Sequence, residues 1–355
     1  MNDLEALGFS PFFADQLDSL GCPDLVPARI VAEGRGLYVV RGCQASTAEL
    51  RGRLRHELGP AERPVTGDWV MIADGVERAV IHHVLERRTG LIRRAAGSET
   101  AVQIVAANVD TFFVVTSADR DFNLRRLERY VAAVWDSEAE PVVVLNKIDL
   151  GEAIDDMIED IGEIAFGVPV VCVSALTGEG VEDIRDHLAP GKTIGLIGSS
   201  GVGKSSLVNR LMGRDIQHTR TLRKDGKGRH ATTRRELIEL PGGGILIDTP
   251  GMREFGLAED GGGVDTLFSD IAALAASCRF RDCQHQGEPG CAVAAAVASG
   301  ELDESRLDSY HKLQRELASA ERRRDPTQAG RDKRRWKWIS KARRALDKTD
   351  PKRKR

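Results

Sequence analysis

The sequence predicts an α/β protein: a doubly wound, mostly parallel sheet, preceded by a small β-barrel and followed by a helical, cysteine-bearing segment. Three observations carry that reading. Between residues 108 and 265, short apolar runs alternate with amphipathic stretches, as in successive βαβ units. Residues 28–95 instead hold several short β-prone runs separated by glycines. A glycine-rich turn, Gly198-Ser199-Ser200-Gly201-Val202-Gly203-Lys204-Ser205, then lies between an apolar run and a helix-like segment.

Taken in order, residues 1–27 are short and mixed, with Leu4, Leu7, Phe12, Phe13, Leu17 and Leu20 able to line one or two helices. Residues 28–97 read as a barrel with strands at 37–40, 69–72 and 78–85. Arg51, Arg53, Arg55, Arg87, Arg88, Arg93 and Arg94 lie on or beside it. A small barrel with a basic face suits an RNA-binding OB-fold; the plain alternative is a solvated surface. Residues 98–265 form the α/β domain, with buried strands at 110–116, 141–145 and 168–173 and helices at 123–135, 152–166 and 181–188. Residues 266–322 are alanine-rich and helical, clearest at 292–298 and 304–320. Residues 323–355 form a basic tail with few apolar side chains.

Composition narrows the function classes. Of the 355 residues, 41% are hydrophobic and 30% charged, the balance of an ordinary soluble protein. No apolar run approaches the roughly 18 residues of a membrane span, and the acidic start lacks the basic region of a secretory leader. Three of the six cysteines crowd into fourteen residues, which points to metal binding rather than disulfides and to a cytoplasmic protein. The net charge of −3 hides a tail: residues 312–355 carry +12, leaving −15 on the rest. A basic tail on an acidic body calls for a polyanionic partner, most simply nucleic acid.

The glycine-rich turn fits G-x-x-x-x-G-K-S/T, the phosphate-binding loop, and has the strand-before, helix-after context that the pattern requires. Its N–H groups and the helix N-terminus attract anions. Lys204 reaches the β- and γ-phosphates, Ser205 ligates Mg²⁺, and Ser206 continues the helix start. Asn146-Lys147-Ile148-Asp149 fits N-K-x-D. There a carboxylate accepts hydrogen bonds from guanine N1–H and the 2-amino group, Asn146 meets the other base edge, and the Lys147 stem covers the ring. Ser174-Ala175-Leu176 is similar to the loop whose backbone N–H meets guanine O6; a serine turn is the alternative. Asp248-Thr249-Pro250-Gly251 fits D-x-x-G, with Asp248 on the metal through water and the Gly251 N–H on the γ-phosphate. Between them, residues 226–233 form a Gly-rich basic loop ending in Thr232 and Thr233. Such a loop can close over a nucleotide.

Common regulatory GTPases carry these motifs in the order phosphate loop, threonine loop, D-x-x-G, N-K-x-D, Ser-Ala. Here N-K-x-D and Ser-Ala come first, so the order is circularly permuted. Cys278, Cys283, His285 and Cys291 add a ligand set that suits a structural, four-coordinate Zn²⁺. Residues 331–338 interleave basic side chains with Trp336 and Trp338, a combination that contacts phosphates and stacks on bases.

Across nearly its whole length the chain resembles the circularly permuted, ribosome small subunit-dependent GTPase A family. The resemblance implies an OB-fold barrel, a circularly permuted P-loop GTPase domain and a zinc-binding helical domain. It implies GTP and GDP as ligands, the small ribosomal subunit and its rRNA as partners, and GTP hydrolysis stimulated by that subunit late in its maturation. A monomer without membrane attachment is expected. Met252 occupies the position where many GTPases carry a water-orienting Gln. The family's proposed substitute is a histidine of the threonine loop, here His230; contact with RNA is its alternative role. Ala231 replaces one of the threonines usual after that histidine, leaving Thr232 or Thr233 as the second Mg²⁺ ligand. A competing function is an RNA-binding scaffold that uses GTP only as a conformational ligand. Another is a translation or RNA-modification GTPase.

Overall fold

The structure is a computed structural model, and it describes residues 3–34, 36–59, 62–75, 78–94, 102–213, 236–248 and 262–324. Two short helices, α1 (Asp3–Ala6) and α2 (Pro11–Leu20), precede the barrel strands. Those are β1 (Val26–Glu33), β2 (Tyr38–Arg41), β3 (Thr47–Leu50), β4 (Trp69–Ala73) and β5 (Ala79–Val84), with α3 (Gly52–Glu57) between β3 and β4. The pairing runs β1-β2-β3-β5-β4, and β4 returns to pair with β1, which closes the barrel. Alternation along the strands explains its two faces. Val70 and Ile72 point into the barrel core with Ala28, Ile30, Val40 and Ile81. Trp69 and Met71 point outward and are buried under Leu7 and Phe13 of the N-terminal segment.

A hairpin follows, β6 (Gly90–Arg94) and β7 (Val102–Ala107). Leu91 and Val105 pack into the core of the α/β layer and not into the barrel core. The barrel's own core thus holds no residue of β6, although β6 falls inside the expected 28–97 segment, because the hairpin buries its apolar side against the neighbouring sheet. The limit itself lies outside the described residues.

The α/β layer contains β8 (Thr111–Ser117), α4 (Leu124–Asp136), β9 (Glu140–Asn146), α5 (Ile154–Ile164), β10 (Val170–Val173), α6 (Val181–Arg185), β11 (Thr193–Ile197), α7 (Lys204–Met212), β12 (Glu236–Glu239) and β13 (Ile245–Asp248). β10, β9, β8, β11 and β13 are parallel in that order, and β12 joins as an antiparallel hairpin partner of β13. The central strands are buried on both faces. Phe112 and Val114 face one core with α4, while Phe113 and Val115 face the other with α7. Each such fully buried side chain contributes roughly 1.5–3 kcal/mol. Asn123 starts α4 by accepting the Arg126 N–H on its side chain at 2.9 Å.

The barrel and the α/β layer share one sheet. β1 pairs antiparallel with β12 at Ala32 and Glu236. Gly67 fits this junction at φ +97°, where a β-carbon would collide with the Ala107 carbonyl and the Ile247 side chain. Arg29 is 1% exposed and binds three segments at once. It donates to the carbonyls of Leu7, Gly67 (3.3 Å) and Asn108 (3.2 Å), and burial lowers its pKa to about 10.

The C-terminal helices are α8 (Gly262–Leu267), α9 (Ser269–Ala275), α10 (Ala292–Ser299) and α11 (Glu304–Arg324). Phe268, Ile271, Val293 and Leu313 share one core with Val131 and Val134 of α4. The helical segment is therefore welded to the sheet layer rather than standing on a core of its own.

Two sequence expectations change. The basic face of the barrel is smaller than its arginine count. Arg87 binds buried Asp68 through two bonds of 2.8 and 2.7 Å, Arg88 pairs with Asp110, and Arg53 pairs with Glu57. Arg51 and Arg55 remain exposed on α3 and its N-cap, while the side chains of Arg93 and Arg94 lie outside the described residues. The helix expected at 181–188 is only α6, 181–185. Among the described residues, no helix is long and apolar enough to cross a membrane.

Candidate functional site

β11, fully buried, delivers the chain to the glycine turn at 198–203, and α7 begins at Lys204. Gly203 adopts φ +99°, and a β-carbon there would strike the Asn146 amide. The second lysine-bearing motif is thus packed directly on the first. Asn146, at the end of β9 and 1% exposed, donates Nδ2–H to the Val202 carbonyl at 2.8 Å. Its Oδ1 accepts the Ala175 N–H at 3.0 Å. One buried amide therefore ties the phosphate loop, the N-K-x-D turn and the Ser174-Ala175-Leu176 loop together. The bond from Ala175 means that this N–H, expected among the base contacts, is spent on Asn146.

The turn after β9 puts Lys147 at φ +64° and leads into a short 3-10 turn over Ile148–Leu150, with Asp149 exposed. Lys147 Nζ bonds Asp119 Oδ2 at 2.8 Å, and that carboxylate also accepts the Ser117 hydroxyl and the Asp121 N–H. Burial raises the Asp119 pKa, but Lys147 and these donors outweigh it and hold the carboxyl below the usual range. Asp121 in turn accepts the Ser199 hydroxyl at 2.5 Å. The 117–121 loop is thus a clasp on both motifs. Asp119 and Asp121 match no nucleotide pattern, so nothing in the sequence points to this clasp.

Lys204 Nζ lies on the Gly198 and Ser199 carbonyls at 2.7 and 2.6 Å, at the mouth of the loop. Ser200, Gly201 and Ser205 are exposed, and Val202 is buried beneath them. A cavity of about 740 Å³ opens alongside, lined by Lys147, Asp149, Ala175, Leu176, Ser206 and Arg210 among others. Of the glycine turn and the helix start, Gly203 and Ser206 line it, and the Asp149 carboxylate lies on the N-K-x-D side; Lys204 and Ser205 are not among its lining residues. Asp248 closes β13, opposite Glu236 of β12. Its side chain, and His230, Thr232, Thr233, Gly251 and Met252, lie outside the described residues.

A second cluster stands between α9 and α10. The ligand atoms of Cys278, Cys283, His285 and Cys291 lie within 4.8 Å of one another. Cys278 and Cys291 sulfurs are 3.9 Å apart, and His285 Nδ1 is 3.7 and 3.5 Å from them. Tetrahedral zinc with bonds near 2.3 Å has donor–donor edges of about 3.8 Å, so the four residues fit it. His285 sits at φ +58°, in the left-handed region, with its Nδ1 facing the Cys278 and Cys291 sulfurs. Two N–H groups at the start of α10, of Ala292 and Ala294, point at Cys278 and Cys291 sulfurs at 3.3 Å. Burial raises the Cys278 thiol pKa, yet backbone donors from Val293 and Ala292 bring it below the ordinary value. Burial, first, and then the neighbouring His311 lower the His285 pKa, which favours the neutral imidazole that binds metal. Glu288 organises the loop, accepting N–H groups of Gln284 and Gln286 on either side of His285. His311, given no role by the sequence reading, meets the His285 carbonyl at 3.3 Å.

Comparison with known proteins agrees with this geometry. The family model for the RsgA GTPase matches residues 84–258. A small ribosomal subunit biogenesis GTPase RsgA of Opitutus terrae is 46% identical over 98% of each chain. The chain belongs to the RsgA GTPase family. An RsgA 1 of Oceanobacillus iheyensis is 45% identical, over 88% of this chain and 91% of that one. Among solved structures, YjeQ from Thermotoga maritima is similar at TM-score 0.61 and 29% identity, covering 83% of this chain and 99% of that one. YloQ, described as a circularly permuted GTPase, is similar at TM-score 0.60 and 26% identity, covering 83% and 96%. In this member of the RsgA family the permutation is visible in the sheet: the N-K-x-D strand β9 precedes the phosphate-loop strand β11 in the chain, with β8 between them in space.

Proposed function

We propose that this chain hydrolyses GTP on the small ribosomal subunit and serves as a checkpoint in its late maturation. The observation that carries the nucleotide half is the Asn146 strut, which holds the phosphate loop against the N-K-x-D turn around one cavity. The RsgA relatives named for small-subunit biogenesis support the ribosomal half. Asp149 selects guanine through its N1–H and 2-amino groups. Residues 198–206 cradle the phosphates with N–H groups, and Lys204 brings a positive charge to the transferring phosphoryl group. Ser205 and Thr233 would hold Mg²⁺, with Asp248 acting through water; when bound, the ion neutralises charge on the β- and γ-phosphates. Gly251 reads the γ-phosphate. His230, in the absence of a Gln at Met252, orients the attacking water. Replacing His230 by Ala retains GTP affinity and abolishes subunit-stimulated turnover.

The reading divides the chain into an N-terminal extension (1–27), an OB-fold RNA-binding barrel (28–97), a permuted GTPase domain (98–265), a zinc-binding helical domain (266–322) and a basic tail (323–355). The barrel's five-strand closure supports the OB assignment. Cys278, Cys283, His285 and Cys291 would hold one structural Zn²⁺ that pins the loop between α9 and α10. The tail, with Trp336 and Trp338, contacts rRNA. The protein acts as a monomer in the cytoplasm. The test is co-sedimentation of the full chain with purified small or large subunits, in GTP and in GDP. Selective, GTP-dependent binding to the small subunit is expected; equal binding to both subunits contradicts the proposal. An RNA-binding scaffold with GTP as a passive ligand would bind the subunit without accelerated phosphate release.

A further inference from the structure

The loop that would meet the base edge is held from behind by a side chain of the phosphate-loop helix. Arg210, on the last turn of α7, donates Nε–H to the Ala175 carbonyl at 3.2 Å and Nη2–H to the Leu176 carbonyl. A β-carbon on Gly178 would already touch this guanidinium, so Arg210 sits in the bend of the loop. Nearly every N–H of the loop is occupied. Ser174 donates to the Glu179 carbonyl and Gly178 to the Ser174 carbonyl, at 2.9 and 2.8 Å. Ala175 donates to Asn146, Thr177 to the Ser174 hydroxyl and Glu179 to the Thr177 hydroxyl. Between Ser174 and Glu179, among the described residues, the Leu176 N–H is the donor that makes no hydrogen bond. Leu176 is 78% exposed, and with Arg210 it lines the cavity that holds Asp149.

The peptide joining Ala175 and Leu176 is trans, so its C=O and N–H point in opposite directions. Whatever holds the Ala175 carbonyl therefore aims the Leu176 N–H. A cationic donor on that carbonyl also polarises the amide and strengthens its N–H as a donor. We propose that Arg210 is a positioning residue for base recognition: by gripping the Ala175 and Leu176 carbonyls it orients the Leu176 N–H toward the 6-oxo group of guanine. Asp149 reads the opposite, N1–H and 2-amino, edge. This deepens the guanine-nucleotide reading above and rests on it.

Two analogues separate the two edges. Inosine diphosphate keeps the 6-oxo group and lacks the 2-amino group; 6-thioguanosine diphosphate keeps N1–H and the 2-amino group but replaces the 6-oxygen with sulfur, a weak acceptor. Affinities of the full-length wild type, Arg210→Ala and Arg210→Lys for GDP and both analogues are measured by calorimetry. In R210A the preference for GDP over the 6-thio analogue falls about tenfold, the worth of one well-aimed hydrogen bond to a base. The preference for GDP over inosine diphosphate is retained. R210K keeps the charge without the two-pronged grip and gives an intermediate loss, and it serves where alanine compromises folding. A merely structural role for Arg210 weakens all three ligands alike, and unaltered or equally reduced preferences overturn the inference. A wild type that prefers GDP to neither analogue overturns the guanine-site reading itself, and this inference with it.

Discussion

Replacing Asn146 by alanine removes two hydrogen bonds and strands two buried backbone groups. Val202 is 1% exposed and Ala175 8%, so neither the Val202 carbonyl nor the Ala175 N–H recovers full hydration when the amide is gone. Each lost bond is worth about 1 kcal/mol net, and each stranded group adds on the order of 1 kcal/mol or more. The sum is roughly 3–4 kcal/mol, a large part of the 5–15 kcal/mol that holds an ordinary domain together. The damage is also directional, because the lost amide is what joins the phosphate loop to the base-side loop. Urea unfolding of Asn146→Ala should show an unfolding free energy lower by that amount, read as a lower midpoint at an unchanged slope. Dissociation of a fluorescent GDP should accelerate by more than tenfold. Asn146→Asp keeps the acceptor for Ala175 but turns a carboxylate toward the Val202 carbonyl, and should be no better. A loss below about 1 kcal/mol, with an unchanged GDP off-rate, would refute the strut.

Asp119→Asn should destabilise the protein at neutral pH and progressively less in acid. The Asp119 carboxyl is held below its unfolded value, so its contribution is complete above the unfolded pKa of about 4 and is lost as pH falls through the folded one. Unfolding free energies of both proteins at pH 7 and near pH 3 check the convergence. Gly67→Ala forces a β-carbon into the Ala107 carbonyl at φ +97° and should lower stability by about 2–4 kcal/mol, seen as a thermal shift of several degrees. Zinc removal by a chelator, or Cys278→Ser, should release about one equivalent of zinc by metal analysis. It should also lower the melting temperature, because the cluster closes onto the same core as α4. A metal-free protein of equal stability would contradict the site.

Features whose chemistry is local in sequence were legible before any coordinates. The glycine turn and N-K-x-D are each one turn long, and Cys278, Cys283, His285 and Cys291, the cluster proposed for zinc, lie within fourteen residues. The β/α alternation from β8 to β11 was legible because strands buried on both faces read as unbroken apolar runs. What escaped is set by partners distant in the chain. Asn146 reaches 56 residues to Val202 and 29 to Ala175, and no pattern in four residues reveals that its amide is spent there. Arg87 reads as part of a basic face and Arg29 carries no sequence signal at all, since an arginine buried under carbonyls or against Asp68 has the same letter as a solvated one. β6 reads as barrel by composition, and only its pairing with β7 and the destination of Leu91 and Val105 tie it to the sheet layer. Weak local propensity hid β3 and β12, four residues each, which exist because their neighbours in the sheet complete them.

The central claim is that this cavity turns over guanine nucleotide under control of the small ribosomal subunit. Steady-state phosphate release by the full chain, with GTP or ATP, alone and with purified small or large subunits, tests it directly. Slow GTP hydrolysis that rises at least tenfold with small subunits alone, and no comparable turnover of ATP, is the predicted result. Equal rates with either subunit, or equal use of ATP, would contradict it.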